Sequence, residues 1–212
     1  MSTLQDILID ANSFLDLTAE LPNGDELATR VNLANQAVKD AAAIGNFKEF
    51  STTYAVNPSA SASIPLPTNF REFETSPQQL NSDGSWTRFD QIGQDEIYDK
   101  DTADKYCVLL GNASGGFTAV FNGLSANATV SINYQRFPSG MATLTDICEL
   151  SDPQYVVAKV ESYVLQGRSD DRFPIVEADA QRRLQNMLGR GSKLVVNETR
   201  KRGSASFDSG YQ

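Results

Sequence analysis

The 212-residue sequence contains no histidine, so the commonest general base, the commonest metal ligand and the usual partner of a serine or cysteine nucleophile are all missing. What remains for chemistry is carboxylate, lysine and thiol. Cys107 and Cys148 stand 41 residues apart in the runs Lys-Tyr-Cys-Val-Leu-Leu and Asp-Ile-Cys-Glu-Leu. That spacing fits neither a metal site nor a secreted disulfide framework, and the apolar flanks predict buried free thiols. Acidic residues gather at Asp90, Asp95, Glu96, Asp99, Asp101 and Asp104. A calcium loop needs alternating ligands, a central glycine and a closing glutamate, and Asp99–Asp104 lacks the last two, so a solvated loop is expected. A glycosidase pair cannot be picked out by spacing alone.

Gly111-Asn112-Ala113-Ser114-Gly115-Gly116 has the texture of a phosphate loop, but it fits neither Gly-x-Gly-x-x-Gly nor the form ending in Gly-Lys-Ser/Thr. The run after it, Phe117–Phe121, reads as a strand, so no helix N-terminus would face a phosphate, and a hairpin turn is predicted. The single Trp86 is expected in a core; a sugar-binding β face would need it exposed with Tyr98, Tyr106 and Tyr134. Arg168, Asp170, Asp171 and Arg172 form a mixed-sign turn that reads either as a solvated loop or as candidates for pairing across a subunit boundary. No cofactor, no metal and no catalytic residue is expected, and the chain reads as a protein that is not an enzyme.

The elements that would position these residues fall into three zones. Leu4, Ile7, Leu8, Ala11, Phe14 and Leu15 keep helical spacing over 3–17, and Leu27, Val31, Ala34, Val38 and Ala41 do so over 25–44, with Asn23 or Asp25 as cap. From Phe47 the texture changes to short β-favouring runs broken by Gly, Pro, Asn and Ser: 50–56, 70–75, 85–89, 106–110, 117–121 and 129–137. Ile64-Pro65-Leu66-Pro67 cannot occupy a central strand and should lead into one. Helical spacing returns after Asp152-Pro153, a cap followed by a first-turn proline. It resumes after Pro174 through Val176, Ala180, Leu184, Met187 and Leu188, and is expected to stop at Gly189. The fold class is therefore α+β: a four-helix body formed by N-terminal (1–46) and C-terminal (151–189) helix pairs, with an inserted antiparallel β module (47–150), barrel or sandwich. An extended C-terminal tail, 190–212, has no stripe and is expected to order only on a partner.

A chain of this length buries roughly 70% of its unfolded surface, enough for one full core or a core with a satellite module. The formal charge of −9 is uneven. Residues 190–212 carry Arg190, Lys193, Arg200, Lys201 and Arg202 against Glu198 and Asp208, a net of +3, which leaves −12 on the rest. An acidic body argues against a nucleic-acid grip. The start Met-Ser-Thr-Leu-Gln-Asp shows no secretion signal and no run approaches ~20 apolar residues, so a protein made in a reducing cytoplasm, without a membrane, is expected.

Several landmarks resemble the head-to-tail adaptor (connector) proteins of tailed bacteriophages. Ile64-Pro65-Leu66-Pro67-Thr68-Asn69-Phe70-Arg71 resembles that family's Leu-Pro-x-Asp-Phe approach to a strand, with Asn69 in place of the acid. Tyr106 through Gly111-Asn112 resembles its turn after a hydrophobic strand, and Tyr134-Gln135-Arg136-Phe137-Pro138 its aromatic-x-x-Pro strand exit, without a second Tyr beside Tyr134. The likeness spans about 1–190 and rests on order and spacing. It implies a virion protein at the head-tail interface, a homo-oligomer of usually twelve copies in a ring beneath the portal protein. Such a ring extends the DNA channel, lets DNA pass without specific binding, and docks a downstream tail or nozzle protein. On this likeness the tail is expected to bind the portal through Arg190, Lys193, Arg200, Lys201, Arg202, Phe207 and Tyr211. Other readings are a phage tail-completion or terminator protein, and a β-module ligand- or carbohydrate-binding protein.

Overall fold

The computed structural model describes residues 2–16, 18–57, 62–112, 114–125 and 128–202, with side chains described as far as 189. The protein is α+β. The chain divides into two compact units, Met1–Glu49 with Pro138–Gln212, and Phe50–Phe137.

The first unit holds four helices among the described residues: α1 (Leu4–Leu15), α2 (Gly24–Ile44), α3 (Pro153–Gly167) and α4 (Phe173–Arg202). Thr3 and Asp6 close a capping box on α1, Thr3 Oγ1 accepting from Asp6 N at 3.2 Å and Asp6 Oδ2 from Thr3 N at 2.9 Å. Asn23 occupies the cap position of α2 but makes no side-chain cap bond, and the acids Asp25 and Glu26 instead meet the positive end of the helix. Asp152 caps α3, with Pro153 in its first turn. The apolar stripes meet in a core of Leu4, Ile7, Leu8 and Ala11 from α1, Ala34, Ala37, Val38 and Ala41 from α2, Val156, Val157 and Val160 from α3, and Ala180, Leu184 and Met187 from α4. The stretch 138–150 is part of this unit. Asn35 Nδ2 donates to Met141 O at 3.0 Å while its Oδ1 accepts from Met141 N at 2.7 Å, and Leu4 N and Gln5 N donate to Asp146 O and Leu144 O.

The last helix departs from the sequence reading. It does not stop at Gly189 but runs on to Arg202, so the segment expected as an extended tail begins as helix. An isolated glycine costs a helix only about 1 kcal/mol against alanine, and after Gly189 and Gly191 neither proline nor a turn signal halts propagation.

The second unit holds two sheets. One is ordered β1 (Ser51–Val56), β9 (Thr129–Arg136), β4 (Gln78–Leu80), β5 (Trp86–Arg88), with β3 (Phe70–Phe73) also on β9. The other is ordered β2 (Ser63–Pro65), β8 (Gly116–Asn122), β7 (Tyr106–Asn112), β6 (Asp90–Ile92). Alternation along β9 sends Val130, Ile132 and Tyr134 inward, where they join Ile64, Phe70, Phe89, Cys107, Ala119 and Phe121 in one cluster fed by both sheets. Pairing is antiparallel except for β6 with β7, which is parallel. This departs from the all-antiparallel expectation because the chain crosses from Ile92 to Tyr106 through a 3-10 turn at Asp95–Asp99 and does not reverse in a hairpin. Pro65 lies in β2, at a sheet edge where its missing N–H does no harm.

Gly111–Gly116 is the hairpin between β7 and β8. Asn112 Oδ1 accepts from Ser114 N at 3.0 Å and Gly115 N at 2.7 Å, and Gly111 sits at φ 108° with the place of a Cβ only 2.1 Å from Gly116 O. Only glycine fits there. The strand-approach landmarks also meet: Tyr134 OH donates to Asn69 Oδ1 at 3.0 Å, and the rings of Phe70 and Tyr134 stack 5.4 Å apart.

Candidate docking surfaces

The mixed-charge turn between α3 and α4 is a helix stop followed by a helix cap. Asp170 N donates to Leu165 O at 3.0 Å and Ser169 N to Gln166 O at 3.1 Å, with Ser169 in the left-handed region at φ 54°. This 6→1, 5→2 pattern is a Schellman stop, whose left-handed position usually holds glycine. Replacing Ser169 by glycine is expected to raise unfolding stability by about 1 kcal/mol, read from denaturant midpoints, because the Cβ strain disappears. Asp170 then accepts from Arg172 N at 2.9 Å and holds the Arg172 guanidinium in a fork at 3.0 and 2.9 Å. These bonds, the side-chain ones first, pull the Asp170 carboxyl down to about 2.

Arg168 reaches back to α1 and α2. Its Nη1 lies 2.9 Å from Asp16 Oδ1 and its Nη2 3.7 Å from Glu26 Oε1. The same two acids hold Arg30, which is 1% exposed, at 3.0 and 2.5 Å. The Arg168 hydrogen bond, more than that from Arg30, keeps the Asp16 carboxyl below its ordinary range. Of the four interface candidates, Arg168, Asp170 and Arg172 are thus engaged within the chain, and Asp171 is exposed. Beside them lie two partly uncovered apolar side chains, Phe14 under the Arg172 guanidinium at 5.5 Å and Ile175, 75% exposed.

A lysine and a hydroxyl of α3 clamp a carboxylate of α4. Lys159 Nζ sits 2.7 and 2.8 Å from the two oxygens of Glu177, Ser162 Oγ donates to Glu177 Oε2 at 2.6 Å, and Gln181 adds a bond at 2.8 Å. Burial works against the Glu177 carboxylate, and these donors together still hold it below its ordinary range. Tyr163 OH donates to Asp40, and burial with that carboxylate pushes the phenol upward. Ser162 is buried, so this hydroxyl has no approach path for a substrate. Burial alone pushes the Cys107 thiol to about 12, and Cys148 is raised chiefly by the same cause; both are free.

Among the described residues Glu161 is the one carboxyl moved close to neutrality, to about 7, by burial first and then by Asp179 and Asp10 against the counter-charge of Arg183. A carboxyl raised in the folded state binds its proton more tightly than in the unfolded chain. Its contribution is therefore full below the ordinary 4.5 and lost as pH rises through about 7. Glu161→Gln is expected to flatten the stability profile between pH 5 and pH 8 and to gain about 1 kcal/mol at the alkaline end, allowing for solvent screening. Melting curves at both pH values check it.

The aromatics that a sugar-binding face would need do not share one surface. Trp86 is 53% exposed, against the core expectation, because it lies on the three-residue edge strand β5. Tyr98 is exposed in the 3-10 turn, and Tyr134 is buried. A groove of about 410 Å³ lies between Gln79, Asn81, Ser82, Ser125 and Thr129. Its amides are already committed: Gln79 Nε2 donates to Asn81 Oδ1 at 2.7 Å and to Ser125 Oγ at 3.0 Å, Gln79 Oε1 accepts from Ser125 N at 2.8 Å, and Asn81 Nδ2 donates to Ser85 Oγ and Thr87 Oγ1 at 2.9 Å.

Among the described residues no group of three or more acidic or cysteine side chains is placed to hold a metal, and no helix is long and apolar enough to cross a membrane. Arg190, Lys193, Arg200, Lys201 and Arg202 fall on the extension of α4, while Phe207 and Tyr211 lie outside the described residues. No protein-family model matches the chain, and no curated protein is significantly similar to it.

Proposed function

We propose that the chain is a structural virion protein of a tailed bacteriophage, a head-to-tail adaptor that forms a ring below the portal and docks the next tail component. The helical unit is the ring-building body, with the β unit inserted between α2 and α3. The observation that carries this reading is the C-terminal half of α4. Among the residues whose side chains are described, the last α4 side chain in the core is Met187, and the helix continues through 15 more residues, about 22 Å. That extension holds five cations on a chain whose remainder carries −12. A basic arm beyond the packed body serves docking to an acidic partner surface, which for an adaptor is the portal. An acidic remainder suits a channel wall along which DNA slides, since each neutralised phosphate would add affinity. The meeting of Asn69, Phe70 and Tyr134 in space supports the resemblance, because two of the three landmarks that carry it lie against each other.

The test is the mass, by light scattering, of the purified chain alone and mixed with portal rings of the same phage. A mass gain equal to a ring of chains is expected; portal rings of unchanged mass overturn the proposal. A tail-completion or terminator protein would leave the portal bare in the same mixture.

A further inference from the structure

Edge strands present unpaired backbone groups, and proteins blunt them with shortness, charge, proline or bulges. Four edges of the β unit follow that rule. β5 and β6 have three residues each and carry Arg88 and Asp90, β2 has three and ends in Pro65, and β3 carries Arg71 and Glu72 with a shift in register. β1 does not follow it. Ser-Thr-Thr-Tyr-Ala-Val has six residues, no charge and no proline, and it pairs with β9 in unbroken register from Ser51↔Gln135 to Val56↔Val130. Its other side has no strand partner among the described residues, and none of its six residues is buried.

One segment of the chain has the pattern to fill that edge. In 204–211, Ala205, Phe207, Ser209 and Tyr211 alternate with Ser204, Ser206, Asp208 and Gly210, the period of a strand with one largely apolar side. In β1, Thr52, Tyr54 and Val56 pair with the buried Tyr134, Ile132 and Val130 and so share their face, where Tyr54 and Val56 are only partly covered. A strand added there with Phe207 and Tyr211 on that face would cover them, and its Ser and Asp side would lie beside Ser51, Thr53 and Ala55. The extension of α4 carries Arg202 about 18 Å past Arg190, a reach suited to a neighbour.

We infer that residues 204–211 of one copy add as a strand to β1 of a second copy, main-chain bonds giving the affinity and the two aromatics the register. This rests on the reading of the chain as a ring former, which supplies the neighbour, and it leaves the basic part of the arm, 190–202, to the portal.

Amide hydrogen exchange on the full chain, at protein concentrations below and above self-association, tests the pairing against the double variant Phe207→Ala, Tyr211→Ala. Both substitutions lie outside the described residues. Exchange within Ser51–Val56 is expected to slow about tenfold with concentration in the unaltered chain and to stay fast in the variant. Protection that does not depend on concentration would mean that the segment folds onto its own chain and would overturn the inference. So would protection that survives the variant, or none at high concentration. Portal rings are absent here, so the two readings fail separately. An unprotected β1 in a chain that binds portals overturns only the pairing, and a protected β1 in a chain that ignores portals upholds the pairing and sinks the adaptor reading.

Discussion

Deleting residues 191–212 is expected to lower affinity for a portal ring about a hundredfold, which corresponds to about 2.7 kcal/mol. The loss follows from charge and position together. Four of the five arm cations, Lys193, Arg200, Lys201 and Arg202, go with the deletion, and steering by such charges weakens with salt, so the intact chain should bind more weakly as ionic strength rises. Among the described residues, α4 contributes Val176, Ala180, Leu184 and Met187 to the helical core, all upstream of the cut. The melting temperature should therefore stay within about 2 °C of the parent. Surface-immobilised portal rings and a parallel thermal melt check both halves. Undiminished binding would remove the arm from the interface, and a collapsed melt would show that it belongs to the fold.

The largest effect on stability is expected at Arg30. Its side chain is 1% exposed and bridges Asp16 and Glu26. Removing one partner of a buried pair costs about 3–5 kcal/mol, and the acids' own exposure, 35% and 47%, discounts this because water can screen them. Arg30→Ala also leaves an unfilled volume, which brings the expected loss back to about 3 kcal/mol. Arg30→Met fills most of that volume and removes the orphaned Nη1, which has no hydrogen-bond partner, so about half of the loss should be recovered. Urea unfolding of the two variants separates the packing part from the ionic part.

The helices were legible where their signals are local. Asp152 with Pro153 marks a helix start by chemistry within a few residues, and the 3.6-residue stripes name the buried faces directly. β9 was legible for the same reason, since its inward Val130, Ile132 and Tyr134 alternate with polar partners. β4 and β6 carry no such pattern in three residues each. They exist because β9 and β7 offer them partners, which is long-range information. α3 ends at Gly167, yet the left-handed residue of its stop is Ser169, a position that no glycine marks in the sequence. The exposure of Trp86 was missed because residue type predicts burial only on average, and an edge position overrides it.

Among the candidate surfaces, the charges of Arg168–Arg172 could be read from sequence but their partners could not. Asp16 and Glu26 sit more than 140 residues upstream of Arg168 and meet it only because α1 and α2 pack beside the turn. The basic character of 190–202 was visible in composition, whereas its helical form depends on propagation from a packed segment, which no local motif announces.

Electron microscopy of portal rings incubated with the chain addresses the adaptor reading most directly. The account predicts a second ring of chains, coaxial with each portal ring and present only when the arm from Arg190 is intact. Portal rings that remain bare, with the chain as separate particles in the background, would contradict it.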